Sequence, residues 1–170
     1  MYRLVRAGIG YEKTVAEYGA FPTDPYSHTP RHGGAKQPGM TGQVKEEILT
    51  RFGELGVEVK GGVVRFRPVL LRPVEFVTEP GSFRFFDVNG QERTIELRAD
   101  SLAFTYCQVP VVYERANGDE AWVRVIFSDG GTRGYRGDRL DKETSQAIFD
   151  RSGRVVRLHV GVPERLLCDM

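Results

Sequence analysis

Cysteine is almost missing from this sequence: there are two in 170 residues, Cys107 and Cys168. That excludes a disulfide framework, and without a Cys-x-x-Cys pair it excludes a thiolate zinc site as well. A charge bias is also lacking. Twenty-four Lys and Arg against 23 Asp and Glu leave a formal charge of +1, so no net field draws the chain to nucleic acid or to an anionic membrane. No apolar run approaches the ~20 residues that span a bilayer, and Met1 to Gly10 lacks the continuous apolar core and small-residue cleavage site of a signal peptide. The expectation is a soluble, cytoplasmic chain with no nucleic-acid partner, no membrane partner and no cofactor. What is present, 40% hydrophobic and 28% charged residues, suits one globular domain or one domain with a docked extension.

Residues 1–42 hold seven glycines and four prolines but only five Leu, Ile, Val or Phe. So few large apolar side chains cannot offset the ordering entropy of a separate folded unit. This loop-rich extension, 1–42, is expected to lean on a partner chain or a second copy, and residues 43–170 are expected to form a helix plus a β-sandwich domain. One amphipathic helix is expected from Thr41 to about Leu55, because Val44, Ile48, Phe52 and Leu55 recur on one face and Gly53 or Gly56 can stop it.

After Gly56 the apolar period changes to two. Val57 and Val59, then Val64 and Phe66, predict strands meeting at Gly61-Gly62. Asn89-Gly90 predicts a type I′ hairpin between Ser82–Val88 and Gln91–Arg98. Leu102 to Tyr113 reads as one long apolar strand holding Cys107, with Pro110 marking an edge or a bulge, and the chain can return after Asn117-Gly118 as Ala121 to Phe127. Asp129-Gly130-Gly131 makes another turn, and Ser128 to Gly137 as a whole reads first as a flexible sandwich loop. Lys142 to Phe149 suits a strand or a short helix, and Val156, Leu158 and Val160 alternate with Val155, Arg157 and His159. Eight or nine short strands with Gly-containing turns make the chain mainly β, an antiparallel β-sandwich or jelly roll with one amphipathic helix.

Polar chemistry concentrates in Phe21 to Gly39, where prolines hold Asp24, Tyr26, His28, His32 and Gln37 on extended or turning backbone. The loop suits either a ligand-lining role or a docking lasso. Asp24, His28 and His32 are spaced by four, the helical spacing of metal ligands, but Pro25 and Pro30 break that helix and no fourth ligand is evident, so no metal is expected. Gly34 to Thr41 has the two-glycine frame of a phosphate loop, with Met40 where the lysine should stand. Adjacent Glu46 and Glu47 point about 100° apart on a helix and suit a solvated face. Trp122, alternating with Val123 and Val125, lies on the face opposite those valines, where an indole can stack on a sugar ring or join an interface.

Gln37-Pro38-Gly39-Met40-Thr41-Gly42-Gln43-Val44-Lys45-Glu46-Glu47-Ile48-Leu49, with Arg51 to Val57 and the strands from Val63 to Leu71, resembles the close of a six-hairpin (α/α) glycosidase-like toroid. There a last helix runs into a C-terminal β-sandwich, and the Thr23 to His28 loop looks like one facing the substrate cleft; the resemblance covers about residues 20–75. It implies an accessory or C-terminal module of carbohydrate-processing machinery, since 170 residues cannot build six helical hairpins. On that reading carbohydrate is the ligand, Asp24 is the candidate general acid or base, and Tyr26, His28, His32, Gln37 and Trp122 are candidate substrate contacts. The rival is a noncatalytic interaction sandwich whose first 42 residues wrap a partner. For a catalytic loop, Asp24→Asn lowers turnover of the assembled enzyme by about two to four powers of ten, and His28→Ala weakens oligosaccharide binding by about 1–2 kcal/mol. Unchanged rate and affinity in both variants would leave the loop as a docking element.

Overall fold

A computed structural model describes residues 49–168. The chain divides into two units, Met1–Arg51 and Phe52–Met170, and the architecture below is that of the second. It begins with the final turn of a helix, 52–55, stopped by Gly56 at φ +64°. A Cβ on Gly56 would lie 2.1 Å from the Arg67 carbonyl group, so glycine is required there by both space and backbone. Leu55 is buried and Phe52 packs edge-on against Tyr106, 6.0 Å between ring centroids, in keeping with the expected apolar helix face. The expected start of this helix, from Thr41, lies outside the described residues.

Nine strands follow among the described residues: β1 (Val57–Lys60), β2 (Val63–Phe66), β3 (Gly81–Phe86), β4 (Glu92–Leu97), β5 (Ser101–Tyr106), β6 (Val109–Ala116), β7 (Trp122–Phe127), β8 (Thr132–Arg136) and β9 (Val155–Pro163). One helix, α1 (Lys142–Phe149), precedes β9. The chain is mainly β, as its alternation predicts. β1 and β2 pair across Gly61-Gly62, both at positive φ, and β3 and β4 form a second two-stranded ribbon. The other five strands make one sheet in the order β5-β6-β9-β7-β8. Every pair in it is antiparallel except β6 with β9.

The sheet carries a layer on each face. On the inner face Val111, Tyr113, Val123, Val125, Leu158 and Val160 meet Val64 and Phe66 from β2 and Ile148 from α1 in the main core. Tyr113 is fully buried, stacks edge-on with Phe66 and Phe104, and donates its hydroxyl hydrogen to the Leu55 carbonyl at the helix end. Burial pushes its phenol far up, so it stays a neutral donor. Ser145, also fully buried, accepts from the Val64 N–H and donates to the Asp141 carbonyl, fastening α1 to β2. On the outer face the β3–β4 ribbon covers the β5–β6 end, packing Phe83, Phe85, Ile95 and Leu97 against Ala103 and Val112.

Five local expectations need correction. The Asn89-Gly90 loop is not type I′: only Gly90 has positive φ, and the Asp87 carboxylate accepts the Asn89 and Gln91 N–H groups, favouring a longer loop ending in a glycine bulge. The Leu102 to Tyr113 run is two strands, turned at Cys107-Gln108 with φ of 49° and 65°, so Cys107 sits in a turn. Pro110 lies in an interior strand, yet before β6 begins to pair with β9 at Val111, so its missing N–H breaks no bond there. Ser128 to Gly137 is not a flexible loop: after the expected turn at Asp129-Gly130-Gly131, where the Asp129 carboxylate accepts from the Gly131 N–H, it continues as β8. Val155 is buried and Val156 is exposed, because a bulge pairs Phe127 with Val155 and Ile126 with Arg157.

Of the two readings for Lys142 to Phe149, the helix is the one formed. Its N-cap is Asp141, whose carboxylate accepts from the Thr144 N–H at 2.7 Å and from the Tyr135 hydroxyl at 2.8 Å. Burial works against the charge, but the Thr144 N–H, the Tyr135 hydroxyl and Arg133 outweigh it and hold the Asp141 carboxyl below the ordinary aspartate value. A lowered folded-state value stabilises above the unfolded value and is lost as pH falls through the folded one. Asp141→Ala is therefore expected to cost about 1 kcal/mol near neutral pH, with the gap to wild type closing in acid. Urea unfolding of both proteins along a pH series checks this; a gap that widens in acid would contradict it.

Candidate functional site

The β3–β4 ribbon leaves the β9-β7-β8 half of the outer face uncovered by any described strand or helix. Register dictates what stands on it. Trp122 pairs with Gly161 on one side and Arg136 on the other, and Arg124 pairs with His159 and Gly134. Glu114 lies opposite Gly161 in the parallel pair. Because side chains alternate, Trp122, Arg124, His159, Glu114 and Arg136 share the outer face while Val123, Val125, Val160 and Tyr113 go into the core.

Trp122 lies across β9. Its indole fills the space where a Gly161 Cβ would stand, with Nε1 2.1 Å from that position, so the close approach needs glycine. The Arg124 guanidinium lies 5.4 Å from the indole centroid. Gly134, beside Arg124, leaves open space above β8. The His159 Nδ1 and Glu114 Oε1 are 2.5 Å apart. The two side chains share one hydrogen bond, with the imidazole tautomer setting which nitrogen is left to face a ligand. Arg124, Arg136 and Arg157 form no ion pair among the described residues. The face thus offers an aromatic surface, cationic donors and one hydrogen-bonded acid–imidazole pair.

By register Glu114 is the one carboxylate that β5 to β9 place on this face. The described residues of this face therefore do not by themselves assemble two carboxylates flanking a glycosidic bond. Elsewhere in the unit, burial pushes the Cys107 thiol up, with Arg151 opposing, which makes it a poor nucleophile. The Arg93 side chain and the Gln91 N–H hold the Asp87 carboxyl below its ordinary value, as an acceptor inside its own loop. Among the described residues no group of three or more His, Cys, Asp or Glu is placed to hold a metal ion, and no helix is long and apolar enough to cross a membrane.

Of the residues singled out in the sequence, Trp122 is on this face. Asp24, Tyr26, His28, His32 and Gln37 lie outside the described residues. The Glu114–His159 pair and the role of Arg124 are not legible in the sequence, where the two residues of the pair stand 45 positions apart. Alternation alone places His159 opposite the core valines, but nothing local shows that β9 inserts beside β6. Neither a comparison with protein-family models nor one with curated proteins found a match to the chain.

Gly161→Ala is expected to lift the indole from β9 at a cost of about 1–3 kcal/mol, the usual penalty of inserting a methyl group into a packed contact. Trp122 is the single tryptophan in the chain, so its fluorescence reports this face alone. A red shift in emission with reduced stability is the expected result; an unchanged spectrum would mean that the ring does not rest on Gly161.

Proposed function

We propose that the chain is an accessory module of a carbohydrate-processing protein, and that its β-unit holds a saccharide against the open half of the five-stranded sheet. The observation that carries this reading is Trp122 laid over Gly161 on a face that no described strand or helix covers, with the donors Arg124 and Arg136 beside it. A sugar ring has apolar C–H faces that suit an aromatic surface, and a rim of hydroxyls that suit arginine donors and the polar Glu114–His159 pair. The described residues of the face supply one carboxylate, which suits binding; chemistry on the saccharide comes from the Asp24 loop or from a partner, as the glycosidase-like resemblance suggests. Net charge of +1 and a lone tryptophan speak against nucleic acid, whose single-strand binders combine a basic groove with successive aromatic side chains.

A second reading, a noncatalytic interaction module, draws on Val69, Leu70 and Val74, which are 47%, 45% and 76% exposed along one short segment. An adjoining domain of the same carbohydrate machinery would cover them. The two readings separate on ligand binding by the chain alone.

Titrating the chain with a panel of neutral oligosaccharides while following Trp122 emission tests the proposal. At least one member is expected to perturb the emission and to bind about tenfold less well to Trp122→Ala, the order of magnitude of a stacked aromatic contact. A panel with no binder, or one whose binding survives Trp122→Ala intact, would leave the interaction reading ahead.

A further inference from the structure

The open face runs into a cleft of about 410 Å³ between the tip of the β3–β4 ribbon, the β5–β6 turn and the start of β9. Its walls are mixed. Phe85, Ile95 and Pro110 supply apolar surface, while Gln108, Asn89 and Arg157 supply polar groups. That size and mixture suit a small ligand unit held by a few oriented polar contacts.

Two features of the backbone converge on this cleft. Cys107 and Gln108 take left-handed φ in a two-residue turn where Asn-Gly is favoured, a conformation with a cost of order 1–3 kcal/mol per non-glycine residue. The turn brings Gln108 to the cleft, where its Nε2 donates to the Asp87 carbonyl at 3.2 Å and leaves the amide oxygen as an acceptor. The second feature is the bulge at Val156. It puts Arg157 opposite Ile126 and on the outer face, lining the cleft.

Charge decides the ligand. Arg93 is already held by Asp87 and Gln91, and Asp87 is held in turn by Arg93 and its own loop. Arg157 is half-buried and has no ion-pair partner among the described residues. A partly desolvated guanidinium with its planar fork free matches a carboxylate, which it can bind through two parallel hydrogen bonds. Arg157, His159 and Gly161 alternate down one face of β9, so the strip from the cleft to Trp122 is about 13 Å long at the usual strand rise. A single chain of linked sugars can lie along it.

We propose that this cleft is the acid-recognising end of the saccharide face: it takes a uronic-acid unit of an acidic oligosaccharide, with Arg157 as the carboxylate partner. Gln108 and Asn89 receive the hydroxyls of that unit, and Pro110 and Ile95 pack against its ring. The proposal rests on the reading of Trp122 as the stacking residue and adds the chemical class of the sugar.

The test sets a panel of uronic-acid tetrasaccharides against the same compounds with carboxyls reduced to primary alcohols, using calorimetry and Trp122 emission on the full chain. A preference of about ten- to a hundredfold for an acidic member is expected, the worth of a charge-assisted hydrogen-bond pair. Arg157→Gln should abolish the preference, weakening the acidic member far more than the reduced one, with the same melting transition. Trp122→Ala should weaken both compounds. Equal affinity for acidic and reduced members, or a preference that survives Arg157→Gln, overturns the acid subsite and leaves the platform standing. No binding by either set overturns both. Tighter binding of a single-stranded oligonucleotide that is lost in Arg157→Gln would also overturn the proposal, assigning the face to a polyanion of another class.

Discussion

Strand β9 is paired along both edges, parallel to β6 and antiparallel to β7, and the rest of the unit depends on that insertion. Without it β5–β6 and β7–β8 would be two separate hairpins, each with an exposed edge and too small a face to bury its valines. With it Leu158, Val160 and Val162 complete the inner core between Val111 and Val123. A parallel neighbour requires a long connection, and the β7–β8 hairpin and α1 lie on the path from β6 to β9.

The same strand joins core to candidate site. Its inward residues are apolar and buried, and its outward residues, Arg157, His159 and Gly161, meet the cleft, the Glu114 carboxylate and the Trp122 indole respectively. Folding energy and binding chemistry therefore share one backbone, separated only by the alternation of side chains. A rigid central strand is a better support for aligned ligand contacts than a loop, because its position is fixed on both sides by ladder hydrogen bonds. The bulge at Val156 is where this regularity is broken, and it is the bulge that allows Val155 to enter the core while Arg157 still faces outward.

The helix end is fastened to the sheet by Tyr113, whose hydroxyl reaches the Leu55 carbonyl from the middle of β6. Asp141 plays the corresponding part for α1, joining its first turn to Tyr135 and Arg133 of β8. Both are polar contacts at the margins of apolar packing. Their value lies less in net energy than in the cost of leaving such groups unpaired once buried or half-buried. They fix where each helix sits against a sheet that apolar burial alone would hold less specifically.

Period-two alternation and the placement of glycine suffice to locate the strands β1 to β4, β7 and β9, the Gly61-Gly62 and Asp129-Gly130-Gly131 turns, and the side of the sheet on which Trp122 stands. These are legible because period-two patterning and glycine-bearing turns act over a few residues. The Cys107-Gln108 turn was not legible, since neither residue favours left-handed backbone and the apolar run continues through it. Nor was the insertion of β9, which brings His159 to Glu114 across 45 residues of sequence. That pairing, and the bulge that turns Arg157 to the cleft with no ion-pair partner among the described residues, come from the folded arrangement alone. Each depends on which distant strand supplies the neighbour, and strand pairing is set by the summed burial of the whole sheet, to which no local stretch of sequence holds the key.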